Sequence, residues 1–309
     1  MSFYKKFEHY DECAPAGVLL PKINIESRYY KELGLRKNVS NLNFLRALCW
    51  KNMQEYGLTK KDKGYLDRMT MELEILEELG FIDYILLNWE VLNFCKEKNI
   101  PTGPGRGSAA GSLVLFFLGV TKVDPIKYNL FFERFVSRSR AKKIKGKDGV
   151  IYLDGSLLAD VDNDIAYDRR SEVINYIKKK YEGRTCKVLN LVTLSGKLCI
   201  KEVGKLVGLK DEEEMNEVSD QIPVTFGKVA PLREAVEQNE KFAEWTQSNP
   251  KAFAVALKVE GLIKNTGVHA SGIAISHHEL TDICPIQKTK EGDLISCYDM
   301  NWIAELTVK

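Results

Sequence analysis

Apolar residues set the rhythm of the chain from Tyr65 onward: Leu66, Met69, Leu73, Leu76 and Leu79 recur at steps of three or four, and Gly80 follows. That spacing predicts an amphipathic helix over 65–80 with a glycine stop. Upstream, NLNFLRALCWKNMQEYGL repeats the helical step through Phe44, Leu48 and Met53. Downstream, FIDYILLNWEVLNFCKEKNI is apolar over most of its length, carries Lys96 and Lys98 in its last turn and meets Pro101, as a buried helix would. The stretch RSRAKKIKGKDGVIYLDGSLL changes character, with turn signals at Lys147-Asp148-Gly149 and Asp154-Gly155 that predict strands joined as a hairpin. Residues 168–181 are helical, with Val173, Ile174 and Ile177 on one face. From about 191 to 262 the runs 197–209, 211–222, 231–247 and 250–263 predict a small helical region without strands, and SGIAIS then returns to β-like alternation.

Composition narrows the class. A 44% hydrophobic and 28% charged chain of 309 residues reads as globular, large enough for one big or two ordinary domains. With 45 basic against 43 acidic side chains the net charge of +2 makes no global field, so any polyanion must be held by local charge. The cysteines Cys13, Cys49, Cys95, Cys186, Cys199, Cys284 and Cys297 are scattered without metal-ligand spacing, which suits thiols in a reducing cytoplasm. No apolar run reaches the length of a membrane span. His277 and His278 fit no zinc-ligand spacing and read as surface residues.

Chemistry concentrates in two places. The segment PTGPGRGSAAGS holds four glycines, Arg106 and the hydroxyls of Ser108 and Ser112, and runs into the apolar LVLFFLGV. Residues without Cβ let backbone N–H groups approach a phosphate, and a following helix N-terminus would add its dipole. No G-K-[ST] closes the loop, so it is not the common nucleoside-triphosphate loop, and a plain glycine-rich turn also satisfies it. The second place is ADVDNDI, where Asp160, Asp162 and Asp164 alternate. On a strand all three face one way and repel unless a cation sits among them, a role that suits magnesium. A solvated acidic loop is the alternative; a calcium loop is disfavoured because Ile165 stands where its turn glycine belongs.

GPGRGSAAGSLV, GVTKVDPIKYNLFFERF, ADVDNDIAYDRRSEVI, VTLSGKLCIKEVGKLVG and NTGVHASGIAIS occur in that order, from about residue 58 to the end. Together they resemble the bacterial family C replicative DNA polymerases, the DNA polymerase III alpha subunits. The resemblance implies an α/β (α+β) polymerase-beta-like nucleotidyltransferase palm with an inserted helical thumb: palm over 1–184, thumb over 185–262, palm again over 263–309. It implies transfer of deoxynucleotides from dNTP to a primer 3′-OH on primer-template DNA, with two Mg²⁺ ions. By position, Asp162 and Asp164 resemble the metal-binding catalytic aspartates. Arg106, Gly107, Ser108, Arg134 and Lys309 resemble nucleotide-binding positions. Asp160 matches the preceding family aspartate, a structural position that supports the metal ligands. Lys197 and His269 fall in motifs near the site with less defined roles; packing or a surface charge is the alternative for each, equally weighted for His269. A basic segment with Arg138, Arg140, Lys142, Lys143, Lys145 and Lys147 either grips DNA phosphates or is a solvated hairpin.

The chain departs from the family pattern at both ends. The family's amino-terminal PHP domain has no counterpart, and matching YDMNWIAELTVK places the third catalytic aspartate two positions past Lys309. This leads to the expectation of a split or truncated polymerase, inactive alone and completed by a complementary polymerase fragment. Its expected setting is the cytoplasm of a bacterium or a phage-infected host. A DNA-binding fragment without catalysis and a nucleotidyltransferase with another acceptor are the rival readings.

Overall fold

The computed structural model describes residues 17–139, 143–146, 150–153, 161–207 and 212–303. The chain divides into two compact units, one running to Val188 and resuming at Ser271, the other spanning Leu189–Ala270.

The first unit opens with helices α1 (Ser27–Glu32), α2 (Asn41–Glu55), α3 (Lys63–Glu78) and α4 (Ile82–Glu97). Ser40 caps α2 by accepting the Asn43 N–H at 3.3 Å. α3 buries Met69, Leu73, Ile75 and Leu76, close to the stripe its spacing predicts. α4 buries residues on every side, including the polar Asn88 and Glu90, so it is a core helix rather than an amphipathic one. Glu90 is satisfied there by an ion pair with Lys180 and by the Tyr181 hydroxyl at 3.0 Å.

After Pro101 the chain passes through a 3-10 turn, Gly107–Gly111, into α5 (Leu113–Phe117). α5 is buried throughout and only five residues long. A helix through all of LVLFFLGV does not form, because Gly119 adopts φ +72° just past Leu118. A 3-10 turn follows at Phe132–Arg134. The expected basic hairpin is present as β1 (Lys143–Lys145) against β2 (Ile151–Leu153), antiparallel with Ile144 opposite Tyr152. α6 (Arg170–Lys180) and β3 (Thr185–Thr193) come next.

The second unit contains α7 (Gly196–Leu206), α8 (Glu212–Asp220), a small hairpin β4 (Val224–Thr225) and β5 (Lys228–Val229), then α9 (Leu232–Gln238), α10 (Glu240–Ser248) and α11 (Pro250–Val259). Its core gathers Ile200, Val203, Met215, Leu232 and Phe242. Two expectations are corrected here. The region is not free of strands: the hairpin is present, and β3 runs to Thr193. Strands of two residues leave no readable period, and β3 buries Cys186, Val188 and Leu189 without strict alternation. The single helix expected over 231–247 is two, because Asn239 turns extended (φ −139°, ψ 113°) and caps α10 by accepting the Phe242 N–H at 3.0 Å.

The chain continues as β6 (Ile263–Ile275), β7 (Ile286–Lys288), β8 (Leu294–Asp299) and α12 (Met300–Ile303). The principal sheet has the order β6-β3-β8-β7, with β7 antiparallel to β8. His277 is not a surface residue: its half-buried ring donates from Nδ1 to the Leu20 carbonyl at 2.9 Å, and burial pushes its pKa down. The architecture is a mixed α/β arrangement, as the sequence leads one to expect.

Candidate active site

Residues 161–166 run extended beside the start of the glycine-rich loop. Thr102 and Ile165 form an isolated antiparallel bridge, the Gly103 N–H donates to the Asp164 carbonyl at 2.9 Å, and the Ala166 N–H donates to that of Pro101 at 3.0 Å. The aspartates therefore stand on a single bridged segment, not on a strand of the sheet. Period two still governs the side chains: Val161 and Ile165 pack on the core, Asn163 turns in to donate to Asn88 Oδ1 at 2.8 Å, and Asp162 and Asp164 are exposed. The segments approach so closely that a Cβ at Gly103 would lie 2.8 Å from that of Asp164.

Arg106 closes the arrangement, its Nε 3.2 Å from Asp164 Oδ2. At 60% and 45% side-chain exposure the pair adds little stability, but it brings the only charged residue of the loop to one of the two acids. Gly107, at φ +64°, faces open space, and Ser108 is half-buried beside it. The turn carrying Arg134 packs on the far end of the loop, where a Cβ at Gly111 would meet the Phe131 carbonyl at 2.6 Å. Arg134 is exposed; its N–H donates to the Phe131 carbonyl at 3.4 Å, while its guanidinium makes no hydrogen bond or ion pair among the described residues.

Beneath the loop lies a constellation that sequence reasoning missed. The Glu72 carboxylate, fully buried, accepts Arg68 Nε at 2.7 Å, Ser112 Oγ at 2.8 Å, and the N–H groups of Leu113 and Val114 at 2.9 and 3.0 Å. Arg68 also donates to the carbonyls of Gly111 and Leu130, at 2.8 and 3.1 Å. Burial pushes the Glu72 carboxyl up, and the four donors oppose that shift. This corrects the expected phosphate site: the first N–H groups of α5 are committed to Glu72 inside the protein, so the helix N-terminus offers nothing to a phosphate. The loop's available groups lie before Gly111.

The remaining candidates are placed elsewhere. Lys197, in α7, pairs with Asp220 at 3.1 Å, and His269 is half-buried in β6, both in the second unit. Arg138 pairs with Glu78 at 2.7 Å, and Lys143 and Lys145 are exposed on β1. Asp160, Arg140, Lys142, Lys147 and Lys309 lie outside the described residues. Among the described residues no three His, Cys, Asp or Glu side chains converge as a ready-made metal cage. Asp162 and Asp164 nevertheless fit Mg²⁺, a hard cation that takes one or two carboxylates and fills its shell with water and substrate phosphate. No helix among the described residues is long and apolar enough to cross a membrane.

The mixed α/β frame, with an extended pair of acids beside an arginine-bearing glycine loop, is consistent with a polymerase palm-like nucleotidyltransferase domain. Residues 43–309 match the family described as bacterial DNA polymerase III alpha NTPase domain. The DNA polymerase III subunit alpha of Bacillus subtilis is 33% identical over 85% of this chain, and that of Thermus aquaticus 31% over 96%. The corresponding subunit of Halalkalibacterium halodurans is 35% identical over 79%. The chain belongs to the bacterial DNA polymerase III alpha family. It spans 21–22% of the length of these three relatives.

Proposed function

We propose that this chain carries the nucleotidyl-transfer site of a template-directed DNA polymerase, with residues 1–184 and 263–309 as palm and 185–262 as thumb. The observation behind this reading is the junction of Asp162 and Asp164 with the Arg106 loop through the Thr102–Ile165 bridge and the Arg106–Asp164 ion pair. Asp162 and Asp164 hold the magnesium ions. Bound there, Mg²⁺ supplies charge neutralisation for the triphosphate and lowers the pKa of the primer 3′-hydroxyl. Arg106, Gly107 and Ser108 hold the triphosphate, through a guanidinium and through backbone and hydroxyl donors that reach it without a side-chain barrier at Gly107. Arg134 adds a second cation on the loop's far side. Their contribution is positional and electrostatic, since phosphoryl transfer needs orientation and charge stabilisation above all. Lys143 and Lys145 on β1 contact DNA phosphates.

Fluorescence anisotropy of a labelled, chain-terminated primer-template tests this. With Mg²⁺ present, a dNTP matched to the template base tightens DNA binding, a mismatched one does not, and the double variant Asp162→Asn/Asp164→Asn abolishes the difference. Nucleotide binding indifferent to the template would overturn the proposal in favour of another acceptor. DNA binding untouched by nucleotide and by both substitutions would reduce the chain to a DNA-binding fragment.

A further inference from the structure

Between the two acids the chain places an amide, and that amide reaches into the core. Asn163 Nδ2 donates to Asn88 Oδ1 at 2.8 Å, and Asn88 Nδ2 donates to the Tyr84 carbonyl one turn back on α4 at 2.9 Å. Asn88 is 8% exposed on a helix whose buried residues are, apart from Glu90, otherwise largely apolar. Asn163 Oδ1 is buried and has no hydrogen-bond partner. Burying two amides, one of them incompletely satisfied, costs free energy that an apolar pair of similar size would not. A costly polar pair at this position calls for a reason other than stability.

The geometry supplies one. On its loop side the aspartate segment is held by the Thr102–Ile165 bridge and the Gly103 and Ala166 N–H bonds, all at or beyond Asp164. On the Asp162 side, the segment is tied to α4 by the Asn163 side-chain hydrogen bond to Asn88. Hydrophobic contact of Val161 is non-directional and permits sliding; a hydrogen bond to a helix-anchored amide does not. The Asn88–Asn163 bond therefore fixes the register of the extended segment against α4, and with it which way its flanking carboxylates point.

We infer that Asn88 and Asn163 are positioning residues that hold Asp162 and Asp164 on a common outward face so that both ligate one divalent cation. The inference rests on the proposed polymerase site. It concerns side chains that touch neither metal nor nucleotide.

Mn²⁺ binding to the chain, followed by electron paramagnetic resonance of the free ion, provides the test. Asn88→Leu and Asn163→Leu are each expected to weaken Mn²⁺ binding about three- to tenfold, the equivalent of one well-made hydrogen bond. Thermal melting, read alongside, shows whether each variant remains folded, and Asn163→Ala stands in if a leucine fails to pack. The double variant Asn88→Leu/Asn163→Leu, which strands no amide, is expected to lose less affinity than the product of the single losses. Folded single variants with unchanged Mn²⁺ affinity, or strictly multiplicative losses, overturn the inference. Asp164→Asn separates the two levels: if it leaves Mn²⁺ binding intact the polymerase site itself is wrong, whereas if it abolishes binding while the asparagine variants do not, only the positioning role fails.

Discussion

Replacing Glu72 by alanine removes one carboxylate and strands four donors at once. These are the Arg68 guanidinium, the Ser112 hydroxyl and the N–H groups of Leu113 and Val114, all within 2.7–3.0 Å of it. Breaking a buried ion pair by deleting one partner costs about 3–5 kcal/mol, because the remaining charge is left buried without compensation. The two α5 N–H groups belong to the same loss, since water has no access to a residue with 0% exposure. For a unit of this size about 2–4 °C of melting temperature accompanies each kcal/mol, so the first unit is expected to melt roughly 6–20 °C lower. Far-UV circular dichroism during heating, with urea unfolding at 25 °C, measures the shift. Arg68→Met/Glu72→Met provides the control: with no charge left buried it should recover much of the loss. A Glu72→Ala melting shift below about 2 °C, or a double variant as damaged as the single, would refute the view that this carboxylate anchors the loop from beneath.

Other parts of the structure answer to simpler perturbations. Gly111→Ala places a methyl 2.6 Å from the Phe131 carbonyl and is expected to cost about 1–3 kcal/mol in urea unfolding, moving the Arg134 turn off the loop. Asp293 lies between Lys178 and Lys187, and its bonds to them hold its carboxyl below the ordinary value of 3.8. Its stabilising contribution is therefore present above that pH and disappears as pH falls through the lowered value, so Asp293→Asn should flatten the acid limb of a pH-stability profile while the wild type keeps it. Phe226 sits at φ +48° and Gly227 at +78° at the tip of the β4–β5 hairpin, with the phenyl ring fully exposed. Phe226→Asn suits that turn and should stabilise the second unit by about 0.5–1 kcal/mol in chemical denaturation.

Local periodicity carried much of the frame. α3 and α4 lie where their apolar spacing, Gly80 and Pro101 put them, and the outward alternation of Asp162 and Asp164 follows from the two-residue period even though the segment makes only one bridge. What escaped the sequence depends on residues far apart in it. Glu72 and Ser112 are separated by 40 positions; Glu72 stands three residues after Met69 and four before Leu76, on the buried stripe, but a lone carboxylate there gives no sign of the partners that await it. α5 read as a long apolar helix because apolarity does not distinguish a buried five-residue turn from a longer one. The dipole expected at its start was lost for the same reason, since its N–H groups were already claimed from α3. Nothing in the apolar run of α4 singles out Asn88, and its bond to Asn163 is what gives it a place near the acids.

The central claim is that Asp162 and Asp164, with the Arg106 loop, form a magnesium-dependent nucleotide site. Calorimetric titration of a dNTP into the chain, with Mg²⁺ and with EDTA, tests it most directly, run in parallel on Asp162→Asn/Asp164→Asn. The account predicts saturable binding that requires Mg²⁺ and falls at least about tenfold in the double variant, the loss expected when both charged ligands of a phosphate-bound cation are neutralised. Binding of equal affinity in EDTA, or in the variant lacking both carboxylates, would contradict it.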